Sequence, residues 1–213
     1  MTVVKKGALQ CALVEAVGTF LLALTVFQTS NPLAIGLVLM AALYIGSHAH
    51  VPYLNTAVSF AEYFGKKIDL NAFLATVAGQ VVGAVGAAVL SSRLGGTPML
   101  PTGGLPVHMA LMEAVTTFVF VMVVMTVLSN ADRFKNSDIY GLVIGFTATG
   151  LVMLGGGLAL FNPAIALAVM VYAKIMGVEV MVSMPSVVVF VLVPLVASVL
   201  AVWFHEYVQG MKK

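Results

Sequence analysis

Apolar residues dominate six long stretches of the chain, and most of the charged residues lie between those stretches. A helix needs about 17–25 mostly apolar residues to cross the hydrocarbon core of a bilayer. The pattern therefore predicts six spanning helices, two of which are short by this measure. They cover residues 8–28, 32–47, 71–92, 108–129, 138–156 and 184–207.

The composition indicates an all-α integral membrane protein and argues against a soluble fold. Hydrophobic residues make up 61% of the 213 positions, charged residues make up 8%, and the mean hydropathy is +1.09. Cys11 is the only cysteine, so no disulfide can form within the chain. The net charge of +2 gives no indication of nucleic-acid binding. The lipid bilayer is the partner that this composition predicts.

The positions of the basic residues predict the orientation of the chain. If both termini are cytoplasmic, only Arg93 and Lys174 face outward. Cytoplasmic loops of membrane proteins carry such an excess of Lys and Arg. We therefore expect a multi-pass protein of the cell membrane with both termini in the cytoplasm. The inward-facing basic residues would be Lys5, Lys6, Lys66, Lys67, Arg133, Lys135, Lys212 and Lys213.

Two pairs of segments show that the chain contains an internal repeat. "LVEAVGTF" at 13–20 matches "LMEAVTTF" at 111–118, and "LNTAVSFA" at 54–61 matches "FNPAIALA" at 161–168. The copies cover about 8–92 and 108–207, with 93–107 as an external connecting loop. Because each copy holds three spanning helices, the second copy must enter the membrane from the opposite face. Inverted repeats of this kind place the functional site where matching interrupted segments meet, near the middle of the membrane.

The two asparagine-containing segments are the predicted interruptions. Asparagine is a favoured N-cap, and proline is favoured at the first helical position, so Asn162-Pro163 begins a helix instead of breaking one. We expect short helices from Asn55 to Phe64 and from Asn162 to Tyr172. Ten residues span about 15 Å, half the hydrocarbon thickness. Non-helical backbone at that depth is tolerated where it lines an aqueous cavity, so the segments predict a pore.

Taken together, these motifs resemble the aquaporin superfamily, the major intrinsic proteins that include the aquaglyceroporins, over essentially the whole chain. The residues that carry the resemblance are Glu15, Glu113, "NTA" at 55–57, "NPA" at 162–164, "GQVVGA" at 79–84 and Pro194. The resemblance implies a single channel domain over 1–213, with six helices and two re-entrant half-helices, and a homotetramer of such channels. It assigns the pore motifs to Asn55, Thr56, Ala57, Asn162, Pro163 and Ala164.

The resemblance also implies roles for particular side chains. Asn55 and Asn162 would present N–H donors to passing molecules. Glu15 and Glu113 would be buried anchors that accept hydrogen bonds from the backbone of the re-entrant loops, with a role in proton relay as the alternative. Loss of either glutamate is expected to impair folding before it alters selectivity.

Three departures from the family pattern stand out. Thr56 replaces the proline of the first motif, a change that we expect to be tolerated because the asparagine cap remains. "VPYL" at 51–54 replaces a common Gly-Ala-His-Leu. Ile165 occupies the place of a nearly universal filter arginine. The other filter positions would be Ile35, Ala159 and either Leu151 or Val152, so the predicted filter is apolar throughout.

The leading functional hypothesis is a passive channel for water and small neutral solutes. The positive N-termini of the two half-helices would exclude ions and protons. The alternatives are a facilitator of glycerol, ammonia or another small solute that conducts water poorly, and a non-conducting relative. The re-entrant segments contain no Asp, which argues against an ion-coupled transporter.

Enzyme and metal-binding functions find no support in the sequence. The four histidines and eight acidic residues form no catalytic pattern, so the chain is not expected to be an enzyme. The H-x-H pair His48 and His50 provides too few ligands for a metal site, and no cofactor is expected.

Overall fold

The computed structural model describes residues 7–45, 52–101, 104–129, 139–177 and 183–210. Within these ranges the chain forms eight helices. They are α1 (Ala8–Gln28), α2 (Pro32–Ile45), α3 (Thr56–Phe64), α4 (Leu70–Arg93), α5 (Pro106–Ser129), α6 (Tyr140–Gly155), α7 (Pro163–Met176) and α8 (Met184–Val208).

The helix lengths confirm the predicted arrangement of six helices and two half-helices. Helices α1, α4, α5 and α8 have 21 to 25 residues and are long and apolar enough to cross a membrane. Helices α2 and α6, with 14 and 16 residues, are the two short ones. The half-helices α3 and α7 follow α2 and α6 in their respective halves, so the order of elements repeats along the chain.

Helix α7 is longer than the sequence predicted. It continues beyond Tyr172 to Met176 and ends at Gly177, which adopts a left-handed conformation with φ of 71°. No helix-breaking residue precedes Gly177, and glycine adopts this conformation without strain. Helix α3 ends at Phe64 before Gly65, where the sequence placed its end.

Small residues let the first and fourth helices approach closely. A Cβ atom added to Gly79 or Gly83 would lie 2.2 or 2.1 Å from the backbone oxygens of Ala12 or Ala16 on α1. Because a backbone oxygen cannot move aside as a flexible side chain can, this crossing requires glycine at both positions of the GxxxG motif. Helices α2 and α6 cross in the same way, since a Cβ on Gly145 would lie 2.6 Å from the carbonyl oxygen of Gly36.

Helix α8 contains a π-helical turn from Val188 to Leu192, just before Pro194. Proline has no backbone N–H and its ring collides with the carbonyl group four residues earlier. A wider turn accommodates both effects without ending the helix. The Ser198 hydroxyl donates to the Pro194 carbonyl at 2.7 Å.

The half-helices pack across the two halves of the chain. Helix α3 contacts α4 of its own half and α8 of the other, while α7 contacts α4 and the π-helical turn of α8. The outer faces of the long helices expose large apolar side chains, among them Val82 and Trp203, which are 68% and 50% exposed. Apolar surface of this kind suits contact with lipid.

Candidate functional site: two re-entrant loops and an adjoining cavity

Each half-helix begins at an asparagine whose side chain caps it. The Asn55 Oδ1 accepts a hydrogen bond from the Ala57 N–H at 2.9 Å, and the Asn162 Oδ1 accepts one from the Ala164 N–H at 3.2 Å. Pro163 occupies the first helical position of α7, where an N–H would lack an intrahelical partner. The capping hydrogen bond therefore holds the Oδ1 atom of each asparagine in place.

The same two side chains join the loops to each other. The Asn55 Nδ2 donates to the Phe161 carbonyl at 2.8 Å, and the Asn162 Nδ2 donates to the Leu54 carbonyl at 2.9 Å. Leu54 and Phe161 have φ values of 54° and 39°, a left-handed conformation that is costly for residues with large side chains. The N-termini of α3 and α7 thus meet. An amide NH₂ group has two N–H donors, and the bond between the loops uses one of them.

Two buried glutamates hold the loop backbones in this conformation. The Glu15 carboxylate accepts hydrogen bonds from the Tyr53 and Leu54 N–H groups at 2.7 and 2.8 Å. The Glu113 carboxylate accepts bonds from the Leu160 and Phe161 N–H groups. Both glutamates are fully buried. Bonds to a carboxylate are stronger than those between neutral groups, so each glutamate satisfies two loop donors that have no helical partner.

Around Thr56 the first loop carries a polar network that sequence reasoning missed. The Thr56 hydroxyl donates to the Gln80 Oε1 at 2.9 Å, and the Gln80 Nε2 donates to Glu15 and to the Ser59 hydroxyl, both at 2.8 Å. Thr56, which stands where the family has proline, is therefore tied to the Glu15 anchor. A polar Gln80 on the apolar helix α4 was the available signal, because a buried amide needs partners.

A cavity of about 840 Å³ adjoins the two asparagines. Its lining includes Ile35, Val152, Ala159 and Ile165. Leu151 is buried and does not belong to the lining, so of the two candidates for the middle filter position only Val152 faces the cavity. Ile35 and Ile165 are 7% and 2% exposed, and none of the four side chains has a hydrogen-bonding group.

The chain that connects the two halves also contributes to the cavity. Thr97 and Leu100, which follow α4, lie in the lining together with Gln28, Thr29 and Ser30 at the end of α1. Sequence reasoning treated 93–107 as a connecting loop only. Its Gly and Pro content marked it as non-helical but contained no signal that it would fold back over α1.

Uncharged residues line this cavity throughout the part of the chain that the structure describes. The N-termini of α3 and α7 each present partial positive charge, equivalent to roughly half an elementary charge. His48 and His50 lie outside the described residues, as do six of the ten basic residues used to predict the orientation. The described site thus combines apolar walls, two fixed amides and two helix N-termini.

Comparisons with known proteins identify the class of molecule that has this architecture. Residues 29–205 match the family model described as "Major intrinsic protein". The chain is 30% identical over 185 residues to "Glycerol uptake facilitator protein-like 6" of Lactiplantibacillus plantarum, an alignment that covers 76% of this chain and 83% of the relative. It also resembles the X-ray structure of the aquaglyceroporin from Plasmodium falciparum, with a TM-score of 0.82 at 19% identity over 95% of this chain and 97% of the other.

The family match covers most of the chain, and the structural likeness extends over nearly all of it. Members of this family are channels for small solutes and not enzymes. The chain therefore belongs to the major intrinsic protein family and is an integral membrane channel for small solutes.

Proposed function

We propose that the protein conducts water and small neutral solutes passively, in single file past Asn55 and Asn162. The observation that supports this most directly is the pair of bonds between the loops. Each asparagine uses its oxygen for the cap and one N–H for the opposite carbonyl. These two bonds hold each amide in one orientation, so its second N–H is already in place to donate to the oxygen atom of a passing molecule. Both asparagines line the cavity.

Ions and protons are excluded by the same arrangement in this proposal. A cation that reaches the asparagines meets the positive ends of α3 and α7, and no charged side chain among the described residues of the cavity offsets that field. A water molecule that accepts hydrogen bonds from both amides has no lone pair left for a hydrogen bond from its neighbours, so a proton cannot pass to it along the file. A pH-sensitive dye inside liposomes tests this part, because proton entry much slower than water flow is the expected result.

The filter in this proposal consists of Ile35, Val152, Ala159 and Ile165. An arginine at position 165 would supply five donors and a positive charge, whereas isoleucine supplies neither. The filter therefore holds water less tightly and accepts alkyl groups more readily. We expect weaker rejection of solutes that are larger or less polar than water.

The assembly and orientation follow the family pattern in this proposal. We expect a homotetramer in the cell membrane with both termini cytoplasmic, since eight of the ten basic residues then face the cytoplasm. The mass of the detergent-solubilised protein tests the tetramer, and protease access to tags on either terminus in sealed vesicles tests the orientation.

Osmotic experiments on reconstituted protein test the channel function. Purified protein in liposomes is subjected to an osmotic step with impermeant sucrose and then to a glycerol gradient, and light scattering records the volume. Water flow well above that of empty liposomes, together with re-swelling by at least one small neutral solute, is the expected result. Correctly folded protein that moves neither water nor solutes would contradict the proposal.

Substitution at the filter sharpens the same experiment. Ile165→Arg introduces a bulky donor next to the second motif and is expected to slow solute re-swelling more than water flow. Ile165→Val keeps the wall apolar with one methylene fewer, and serves as the matched control that retains solute flow. Equal solute flow through Ile165→Arg and Ile165→Val would show that position 165 does not control selection.

A further inference from the structure

Two kinds of side chain line the cavity, those that can form hydrogen bonds and those that cannot. Gln28, Thr29, Ser30 and Thr97 give polar side chains to the lining, and Asn55 and Asn162 provide amide donors. The four positions of the proposed filter carry only Ile, Val and Ala side chains. A solute that moves along these four side chains is offered no side-chain donor by them.

The lack of side-chain hydrogen-bond donors at these four positions affects hydroxyl groups of a solute more than its methyl groups. A hydroxyl both donates and accepts hydrogen bonds, and exposed backbone carbonyls can replace only the bonds that it donates. Its oxygen therefore gives up hydrogen bonds from water without replacement while it faces the apolar side chains. A methyl group at the same place loses nothing and gains contact with Ile35 and Ile165.

From this we infer that the preferred solutes are small neutral molecules with one apolar face and at most two hydroxyl groups, such as short diols, in preference to glycerol. The inference rests on the proposed channel function and specifies its substrate class. Two matched solutes isolate the effect. 1,2-Propanediol is glycerol with one terminal hydroxyl replaced by hydrogen, so the two differ by a single oxygen atom at nearly the same size.

Protein-dependent permeability to these two solutes is the test. Stopped-flow light scattering measures re-swelling with 1,2-propanediol and with glycerol, and the rate of empty liposomes is subtracted for each solute because the diol crosses lipid faster. We expect the protein-dependent permeability to be about tenfold greater for the diol, as one unreplaced hydrogen bond requires. Equal or faster glycerol permeation, with rapid water flow, would overturn the inference and leave the channel function standing.

A substitution of nearly constant volume tests the physical cause. Val152→Thr places a hydroxyl on the wall of the cavity, and it is expected to reduce the ratio of diol to glycerol permeability severalfold, mainly by raising glycerol permeation. Val143→Thr makes the same change on the same helix at a position outside the cavity lining, and its ratio should match that of the unmodified protein. A ratio unchanged in Val152→Thr would overturn the inference.

Water flow distinguishes a failure of the channel function from a failure of the solute preference. Protein that is folded in liposomes but moves neither water nor either solute would overturn the proposed function, and the inference with it. Fast water flow with the expected ratio of diol to glycerol supports both.

Discussion

The two re-entrant loops form the same core of hydrogen bonds within different surroundings. In each, a buried glutamate accepts from two consecutive N–H groups, and the next residue is an asparagine that caps its own half-helix. Each asparagine also donates to the opposite loop across more than 100 residues of sequence, with separations of 106 and 108. Both loops form these bonds, and the bonds determine where the amide N–H donors of the asparagines point.

Beyond that core the loops differ in how they are supported. In the first loop, Thr56 is tied through Gln80 to the glutamate anchor, and a Cβ on Gly18 would lie 2.4 Å from the Leu54 side chain. In the second, Pro163 restricts the backbone by its ring, and Phe161 packs on the Phe120 ring with centroids 5.4 Å apart.

Among the residues that the structure describes, which omit 46–51 of the first loop, the second loop also supplies more of the cavity wall. Ala159, Leu160 and Ile165 line the cavity close to the second motif, whereas the first loop contributes Leu54 and Asn55. The difference teaches that a repeated motif can keep its geometry while one copy gains a network of side-chain hydrogen bonds and the other lines more of the cavity. Perturbing matching positions in the two loops tests this division.

Removal of a glutamate anchor is expected to have the largest effect. Glu113→Ala leaves the N–H groups of the partly buried Leu160 and the buried Phe161 without that acceptor, at a cost of about 2–6 kcal/mol. Glu15→Ala should cost more, because Gln80 also loses its carboxylate partner. Thermal unfolding in detergent measures both, with Glu206→Ala at the end of α8 as a carboxylate control. Unfolding of either anchor variant at the unmodified temperature would show that the carboxylates do not hold the loops.

Exchanging the residues at the matching positions Gly18 on α1 and Thr116 on α5 is expected to have an intermediate effect on stability. Gly18→Thr forces Leu54 to move, at a cost of about 1–3 kcal/mol, because its Cβ overlaps that buried side chain. Thr116→Gly makes the reverse change in the second half, where the Thr116 side chain is fully buried, and should cost about 1 kcal/mol from lost packing and helix propensity together. Thermal unfolding and water flow are measured for both. Greater destabilisation by Thr116→Gly than by Gly18→Thr would contradict the assignment of the tighter contact to the first loop.

Loss of the Thr56 hydroxyl is expected to have the smallest effect on stability. Thr56→Val keeps the shape of the side chain but removes the donor to Gln80, at a cost of about 1 kcal/mol. Thr56→Ser retains the hydroxyl and serves as the control. We expect Thr56→Val to unfold at a lower temperature than Thr56→Ser. If the loop shifts in Thr56→Val, that variant also conducts less water. Identical unfolding temperatures for the two variants would show that the hydroxyl does not support the loop.

The sequence by itself determined the local features of this protein. Apolar stretches set the helices, because a bilayer demands about 20 residues per crossing. Asparagine and proline set the starts of the half-helices, since the first N–H groups of a helix need caps. The sequence also placed the end of α3 at Phe64, where the structure has it. Each of these outcomes depends on residues within one or two turns of each other.

Only the tertiary structure decided the contacts between distant segments. It showed which of Leu151 and Val152 faces the cavity, because helical periodicity cannot orient a helix that is apolar on every side. It joined Thr56 to Gln80, 24 residues away, and folded the chain after α4 over the end of α1. Such contacts depend on how whole helices pack, which is set by many weak interactions acting together and not by a local motif.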